Sequence, residues 1–159
     1  VSALNQKGQR LLGDVKLGDF TIGAAWDSMR SETVAIAALP GTVTKVGDRT
    51  AWQLTGKYQT GKHIVTGMYS KANKDKVLVG ETGAKAYSIS YSYLFSARTS
   101  VGVGYSVLKN DTLGTYTMSG ESATGTAAAP TTSGYSSGNA ESFAGEKQTF
   151  LGVSLRQSF

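Results

Sequence analysis

The stretch that decides the fold is KQTFLGVSLRQSF, which occupies positions 147–159 at the C-terminal end of the sequence. It alternates with a period of two, and its apolar side chains share one face: Leu151, Val153, Leu155 and Phe159. The other face carries Gly152, Ser154, Arg156 and Ser158. Such alternation predicts a β-strand with one apolar face. An apolar outer face, a polar inner face and a terminal aromatic residue are typical of a strand in a β-barrel that crosses a bilayer.

Composition limits the class of protein. The sequence has 159 residues, of which 40% are hydrophobic and 20 are glycine, and its length fits one domain. No run approaches the roughly 20 apolar residues that a transmembrane helix requires. A barrel strand needs no such run, because it meets lipid only with alternate residues. The absence of cysteine from the sequence excludes a disulfide scaffold and a thiolate metal site.

The net charge of +5 at pH 7 comes from lysine and arginine residues that are spread along the whole sequence. A nucleic-acid-binding arm would concentrate such residues in one block, so we expect no nucleic-acid partner. The sequence does not open with a charged segment followed by an apolar core. We therefore expect any signal peptide to have been removed or to lie further upstream.

Segments of period two recur along the chain and predict about seven antiparallel strands. They are 9–17, 20–30, 50–58, 63–72, 85–95, 99–109 and 148–159. The connections alternate between short ones, at 18–19, 59–62 and 96–98, and long ones, at about 31–49, 73–84 and 110–147. Short periplasmic turns at one rim and long extracellular loops at the other describe an outer-membrane barrel. We predict an all-β fold, an antiparallel transmembrane β-barrel.

Two of the long loops carry further expectations. The run of Ser, Thr, Gly and Ala from 117 to 142 cannot bury enough apolar surface to fold independently, so we expect it to be mobile unless it packs into the mouth of the barrel. The segment 33–39 is apolar and precedes Pro40, which suggests a helical turn against the rim.

The two faces of the predicted strands differ in chemistry. One face is rich in aromatic and branched residues, while the opposite face is small and polar and fits a water-filled lumen rather than a dry core. Four aromatic residues fall at the predicted periplasmic edge, as a membrane girdle requires: Phe20, Tyr58, Phe95 and Phe159. A soluble sandwich with one wet face per sheet is the alternative. That alternative predicts neither the sorting of the loops by length nor the terminal phenylalanine.

Charged residues on the predicted inner face are candidates for lining a pore. They are Arg10, Asp14, Lys16, Asp27, Lys57 and Arg156. Charged rings inside a pore raise the local concentration of the opposite charge. Because the set is mostly basic, it predicts a preference for anions. The alternative is that these residues are solvated, or paired across strands, without any effect on selectivity.

Motifs for catalysis and metal binding are weak. The stretch GKYQTGKH at 56–63 resembles a phosphate-binding loop, but His63 replaces the hydroxyl residue that would hold magnesium. The stretch also lies between two strands rather than before a helix, so we interpret it as a hairpin turn and His63 as a solvated turn residue. No arrangement of nucleophile, base and orienting residue is evident. We expect no enzyme activity, no catalytic residue, no metal and no cofactor.

Three stretches resemble the general porins of Gram-negative bacteria, in particular those of β-proteobacteria. Residues 151–159 resemble the closing strand and assembly signal of that family, although Gln157 stands where an aromatic residue is common. Residues 91–99, with 104–106 and 109–111, resemble its penultimate hairpin, and 57–71 resembles the hairpin before that.

The resemblance implies a homotrimer of barrels with about 16 strands each, which would pass small ions and hydrophilic solutes by passive diffusion. It implies a place in the outer membrane, in contact with the lipid bilayer and with lipopolysaccharide. It also implies that the C-terminal strand engages the barrel-assembly machinery.

The predicted number of strands conflicts with a complete barrel, because bacterial single-chain barrels have even numbers of strands. We therefore expect residues 1–159 to be the C-terminal part of one larger barrel domain. The alternative is a complete barrel of about eight strands that anchors or adheres without a pore. Its eighth strand would lie in 1–8 or in 110–147, although 1–6 is a poor strand candidate. An outer-membrane enzyme is a third, disfavoured alternative.

Overall fold

The computed structural model describes residues 2–35, 43–116 and 144–157. They form seven β-strands: β1 (Ser2–Leu17), β2 (Phe20–Ala35), β3 (Val43–Thr60), β4 (His63–Ala72), β5 (Ala84–Leu94), β6 (Thr99–Asn110) and β7 (Lys147–Gln157). The strands make one sheet in the order of the chain, and each pairs antiparallel with the next. Within the described ranges, no helix is long and apolar enough to cross a membrane.

The all-β, antiparallel prediction is confirmed, and each predicted strand overlaps one strand of the structure. The sheet is open over the described residues: β1 pairs only with β2, and β7 pairs only with β6. Phe159 lies outside the described residues, so the end of the closing strand is known only as far as Gln157.

Tight turns join the strands at one rim of the sheet. Gly18 and Gly61 adopt φ values of 62° and 54° in the turns after β1 and β3. Glycine accepts this left-handed conformation without the steric penalty of a side chain. The turn after β5 is closed by the hydroxyl of Ser96, which accepts hydrogen bonds from the backbone N–H groups of Arg98 and Thr99 at 3.1 Å each. The stretch that resembles a phosphate-binding loop is therefore a hairpin, as predicted.

The other rim differs from prediction, because the first three strands are longer than the alternation suggests. The expected loop 31–49 is wrong at both ends, since β2 continues to Ala35 and β3 begins at Val43. Residues 2–8 belong to β1, so the judgement that 1–6 is a poor strand candidate, and the option of a separate eighth strand in 1–8, are also wrong. These extensions carry polar residues on both faces, so they lack a clear hydrophobic period of two, although their backbones pair in register.

A β-bulge adds to the irregularity of this rim. The register of β2 against β3 shifts between Ser31 and Glu32, where two successive residues of β2 pair with Gly47 and Lys45. A bulge of this kind breaks the alternation of faces that sequence analysis relies on. The helical turn expected at 33–39 is wrong for 33–35, which are part of β2, and 36–39 lie outside the described residues.

The hydrophobic residues of this sheet are mostly exposed. Among the described side chains, the only buried hydrophobic ones are Ala84, Val107 and Leu108. Leu11, Leu151 and Val153 are 71–79% exposed on one face. Soluble proteins rarely leave such a continuous apolar surface in water. The sheet therefore requires an apolar environment on that face.

Candidate functional site: the polar face of the sheet

The register of the strands separates a mostly polar face from a mostly apolar face, although Leu12 and Phe150 are exposed on the polar face. Residues that pair directly on adjacent strands point to the same side. One continuous row of such partners is small, hydroxylated or basic: Lys16, Thr21, Lys57, Thr66, Ser90, Gly104 and Gly152. The row one residue away is apolar or glycine: Val15, Ile22, Gly56, Gly67, Ile89, Tyr105 and Leu151. The polar face is the candidate functional site.

The structure places the six charged candidates on this polar face. Lys16 and Lys57 flank Thr21 in the polar row, with one strand between them. The remaining four share the face by the alternation of their own strands: Arg10 and Asp14 in β1, Asp27 in β2, and Arg156 in β7 opposite Ser100. Strand alternation therefore places on one face charges that lie up to 146 positions apart in the sequence, from Arg10 in β1 to Arg156 in β7.

Two of the six neutralise each other. Arg10 and Asp27 are direct register partners, and the arginine Nε lies 2.5 Å from the Oδ1 of Asp27. Their side chains are 68% and 38% exposed, so water screens the pair and it adds little to stability. The main effect of the pair is electrostatic, because the two opposite charges cancel and add little to the field of the polar face. Apart from this pair, the six candidates include one acidic residue, Asp14, and three basic residues: Lys16, Lys57 and Arg156. None of the three basic residues forms an ion pair among the described residues.

Arg49 also belongs to the polar face, and sequence analysis missed it. It lies opposite Met29 in the β2–β3 pairing, and its Nη2 approaches the Sδ of Met29 at 3.6 Å. Its guanidinium is 5.8 Å from the centre of the Tyr116 ring, within the range of a cation–π interaction. It was missed because it was assigned to a loop, although two-residue steps from Lys57 along β3 lead to it.

Tyr116 reaches Arg49 because the start of the long connection after β6 folds back over the polar face. Asn110, the last residue of β6, is only 9% exposed and holds this turn. Its Nδ2 donates a hydrogen bond to the backbone oxygen of Tyr116, and its Oδ1 accepts one from the Tyr116 N–H, each at 3.0 Å. Tyr116, Arg49, Met29 and the Arg10–Asp27 pair line one concave pocket on this face.

Aromatic residues cluster on the apolar face near the short turns. The rings of Phe20 and Tyr58 are 4.5 Å apart, and the ring of Phe95 packs edge-on against Tyr93 at 5.1 Å. Three of the four proposed girdle residues thus lie at one rim, and the fourth, Phe159, lies outside the described residues. The outward residues of β7, which are Leu151, Val153 and Leu155, are highly exposed on the same face.

His63 belongs to this aromatic rim. It is the first residue of β4, and its Nδ1 lies 2.8 Å from the hydroxyl of Tyr91, while its ring meets Tyr93 edge-on at 5.1 Å. Its neighbours are therefore tyrosines of the apolar face. Within the described ranges, no cluster of three or more His, Cys, Asp or Glu residues could hold a metal ion.

Comparison with known proteins places this sheet in context. A family model described as Gram-negative porin matches residues 2–113, which is more than half of the chain. The chain belongs to the Gram-negative porin family. No match was found to a curated protein or to a solved structure. The family match covers both hairpins that resemble porins but ends before 151–159, and it does not distinguish the β-proteobacterial porins from others.

Membership of the porin family identifies what each face of the sheet contacts. Porins are channel proteins of the Gram-negative outer membrane, so this protein is an outer-membrane porin and its sheet is part of a transmembrane barrel wall. In such a wall the apolar face meets lipid and the polar face meets the lumen.

Because one face meets lipid and the other meets the lumen, neighbouring substitutions in β5 should have opposite outcomes. Ile89→Lys places a charge on the lipid side and should destabilise the folded porin by about 2–4 kcal/mol if it lies near the bilayer midplane. Ser90→Lys places the same charge on the lumen side and should be tolerated. Folded and unfolded porin are compared by their mobility in gels with and without heating. Equal effects of the two variants would contradict the assignment of faces.

The anchor at Asn110 predicts a local change in hydrogen exchange. Asn110→Ala removes both partners of the Tyr116 backbone, and leaving buried groups unpaired costs about 1–3 kcal/mol. Amide exchange in a peptide covering 113–116 should accelerate about tenfold or more. Asn110→Asp keeps an acceptor for the Tyr116 N–H and should give an intermediate rate. Unchanged exchange in Asn110→Ala would show that the turn is held by other contacts.

Proposed function

We propose that this porin forms a water-filled channel through which small hydrophilic solutes and ions diffuse down their gradients, without a cofactor and without catalytic turnover. The observation that supports this most strongly is the polar row that runs unbroken across all seven strands. Small residues such as Ser90 and Gly104 leave free volume beside the wall. Their polarity favours water in that volume rather than a packed apolar plug.

We further propose that these strands are the C-terminal part of a barrel of about 16 strands that assembles as a homotrimer. The outer edges of β1 and β7 lack partners among the described residues. An open sheet edge is not tolerated in lipid, because its backbone N–H and C=O groups would be unpaired. Additional strands pairing with both edges would close the wall. The barrel-assembly machinery would then engage the C-terminal strand, as the family resemblance implies.

The intact mass of the native polypeptide tests this size. A chain of about 16 strands corresponds to a mass on the order of 35 kDa, given about 10 residues for each strand plus turns and loops. Mass spectrometry of porin isolated from the outer membrane should give a value in that range. A native polypeptide no longer than the present sequence would contradict the larger barrel and favour the small, anchoring one.

A preference for anions follows from the charges on the polar face. Because Arg10 and Asp27 pair, the excess charge comes from Lys16, Lys57, Arg49 and Arg156 against Asp14. Lys16 and Lys57 lie on either side of Thr21 and reinforce each other's potential. A positive wall raises the local concentration of anions and excludes cations.

Conductance measurements test both parts of the proposal. Purified, folded porin in a planar bilayer should produce stepwise increases in current, and silence from folded protein would contradict channel function. In a salt gradient, the sign of the reversal potential should indicate anion preference. A cation-selective sign would refute the charge assignment while leaving channel function intact.

A matched pair of variants tests which charges determine ion selectivity. Lys57→Gln removes a charge from the polar face and should shift the reversal potential toward zero. Lys7→Gln removes an equal charge from the opposite face. Lys7 lies three positions before Arg10 in β1, so the two side chains point to opposite sides, and Lys7 pairs with Arg30 of β2. The Lys7→Gln variant should leave the reversal potential unchanged. Equal shifts in both variants would mean that selectivity follows net charge rather than the lining of the pore.

A further inference from the structure

The concave pocket beneath Tyr116 has the size and the lining of a small-molecule site. Its volume is about 530 Å³, within the range of about 300–1,000 Å³ that is usual for such sites. Its walls are largely apolar and include Met29, Ala51, Ala72 and the ring of Tyr116. Binding sites for small molecules typically combine apolar walls with a few polar groups that fix the orientation of the ligand. We refer to this cavity as the Tyr116 pocket.

The Tyr116 pocket carries one positive charge that no lining residue neutralises. Among the described residues that line it, Asp27 is the only acidic one, and its carboxylate is already paired with Arg10. Arg49, the remaining charged residue of the lining, makes no ion pair with any described residue. The charge available to a ligand in this pocket is therefore that of Arg49.

The contacts of Arg49 hold its guanidinium in place without satisfying it. Its Nη2 donates to the Sδ of Met29 at 3.6 Å, and a thioether is a weak acceptor. Its Cζ lies 5.8 Å from the centre of the Tyr116 ring, and a cation–π contact uses the face of the guanidinium rather than its N–H donors. A carboxylate matches the planar fork of these donors and accepts charge-assisted hydrogen bonds from it.

We propose that the Tyr116 pocket binds solutes that combine one carboxylate with a flat apolar body, of which benzoate is the simplest example. This deepens the proposed channel function and rests on it, because the pocket opens into the lumen only if the polar face lines the pore. The carboxylate accepts hydrogen bonds from Arg49, and the apolar body lies against Tyr116, Ala51 and Ala72. A small anion meets only the first of these requirements, and a neutral aromatic solute meets only the second.

Asn110 is a positioning residue for this site. It does not line the pocket, but its side chain holds the backbone N–H and C=O groups of Tyr116 at 3.0 Å each. Tyr116→Phe keeps the ring and should bind benzoate as the native porin does. Tyr116→Ala and Asn110→Ala remove or release the ring and should each weaken benzoate binding several-fold. Unchanged binding in both of these variants would overturn the placement of the apolar body.

The test measures equilibrium binding of three labelled probes to the complete porin, folded in detergent. Benzoate has both the ring and the charge, benzyl alcohol has the ring alone, and acetate has the charge with almost no apolar body. Native porin should bind benzoate at least about tenfold more tightly than either of the other two, because a charged hydrogen-bond partner and a buried ring each contribute at least that factor. Equal binding of benzyl alcohol or of acetate would overturn the proposal, and this comparison requires no substitution.

Two variants that lose the same charge separate the pocket from the general field of the polar face. Arg49→Gln should weaken benzoate binding about tenfold and leave benzyl alcohol binding unchanged. Lys57→Gln lies in the same strand and outside the pocket, so it should leave benzoate binding unchanged even though it shifts the reversal potential. The separation along β3 is about 27 Å, well beyond the Debye length of about 10 Å at 0.1 M salt. Equal losses in the two variants would overturn the proposal.

Binding and conductance are recorded from the same preparations, so that the two proposals fail in different ways. Porin that conducts but does not bind benzoate overturns the assignment of the Tyr116 pocket and leaves channel function intact. Folded porin that binds benzoate in preference to the other two probes, yet does not conduct, contradicts the channel function alone.

Discussion

The structure depends on uninterrupted antiparallel register. Because side chains alternate along each strand, a slip of one residue between any two strands would exchange the two faces from that point onward. No slip occurs from Lys16 in β1 to Gly152 in β7, and the only register shift among the described strands, between Ser31 and Glu32, lies near the long-connection end. The polar face and the apolar face are both consequences of that register.

Much of the fold could be predicted from the sequence, because apolar and polar residues alternate along the central part of each strand. The strand β4 was predicted at its observed bounds, and β6 to within one residue. The six charges assigned to the inner face share one face in the structure for the same reason. Alternation fixes the side on which a residue lies even when its partner is unknown. Their role in a pore is still a proposal.

What could not be predicted lies where hydrophobic contrast ends. Residues 2–8, 31–35 and 43–49 belong to strands but carry polar residues on both sides, so no clear periodic signal marks them. Arg49 was assigned to a loop for the same reason. The ion pair of Arg10 with Asp27 and the anchoring of Tyr116 by Asn110 depend on register and on loop path, which composition does not encode. A further example is a set of four lysines that become neighbours only when the strands are aligned: Lys71, Lys85, Lys109 and Lys147.

The most direct test of a water-filled lumen on the polar face is the accessibility of single cysteines along β5 in lipid vesicles. Each variant reports on one position, because the sequence contains no other cysteine. Each position from 87 to 92 is replaced in turn, and the rate of reaction with a charged, membrane-impermeant thiol reagent is measured. If the polar face lines a water-filled lumen, reaction should be fast at positions 88, 90 and 92 and slow at positions 87, 89 and 91. Uniform rates, or the opposite alternation, would contradict a water-filled lumen on the polar face.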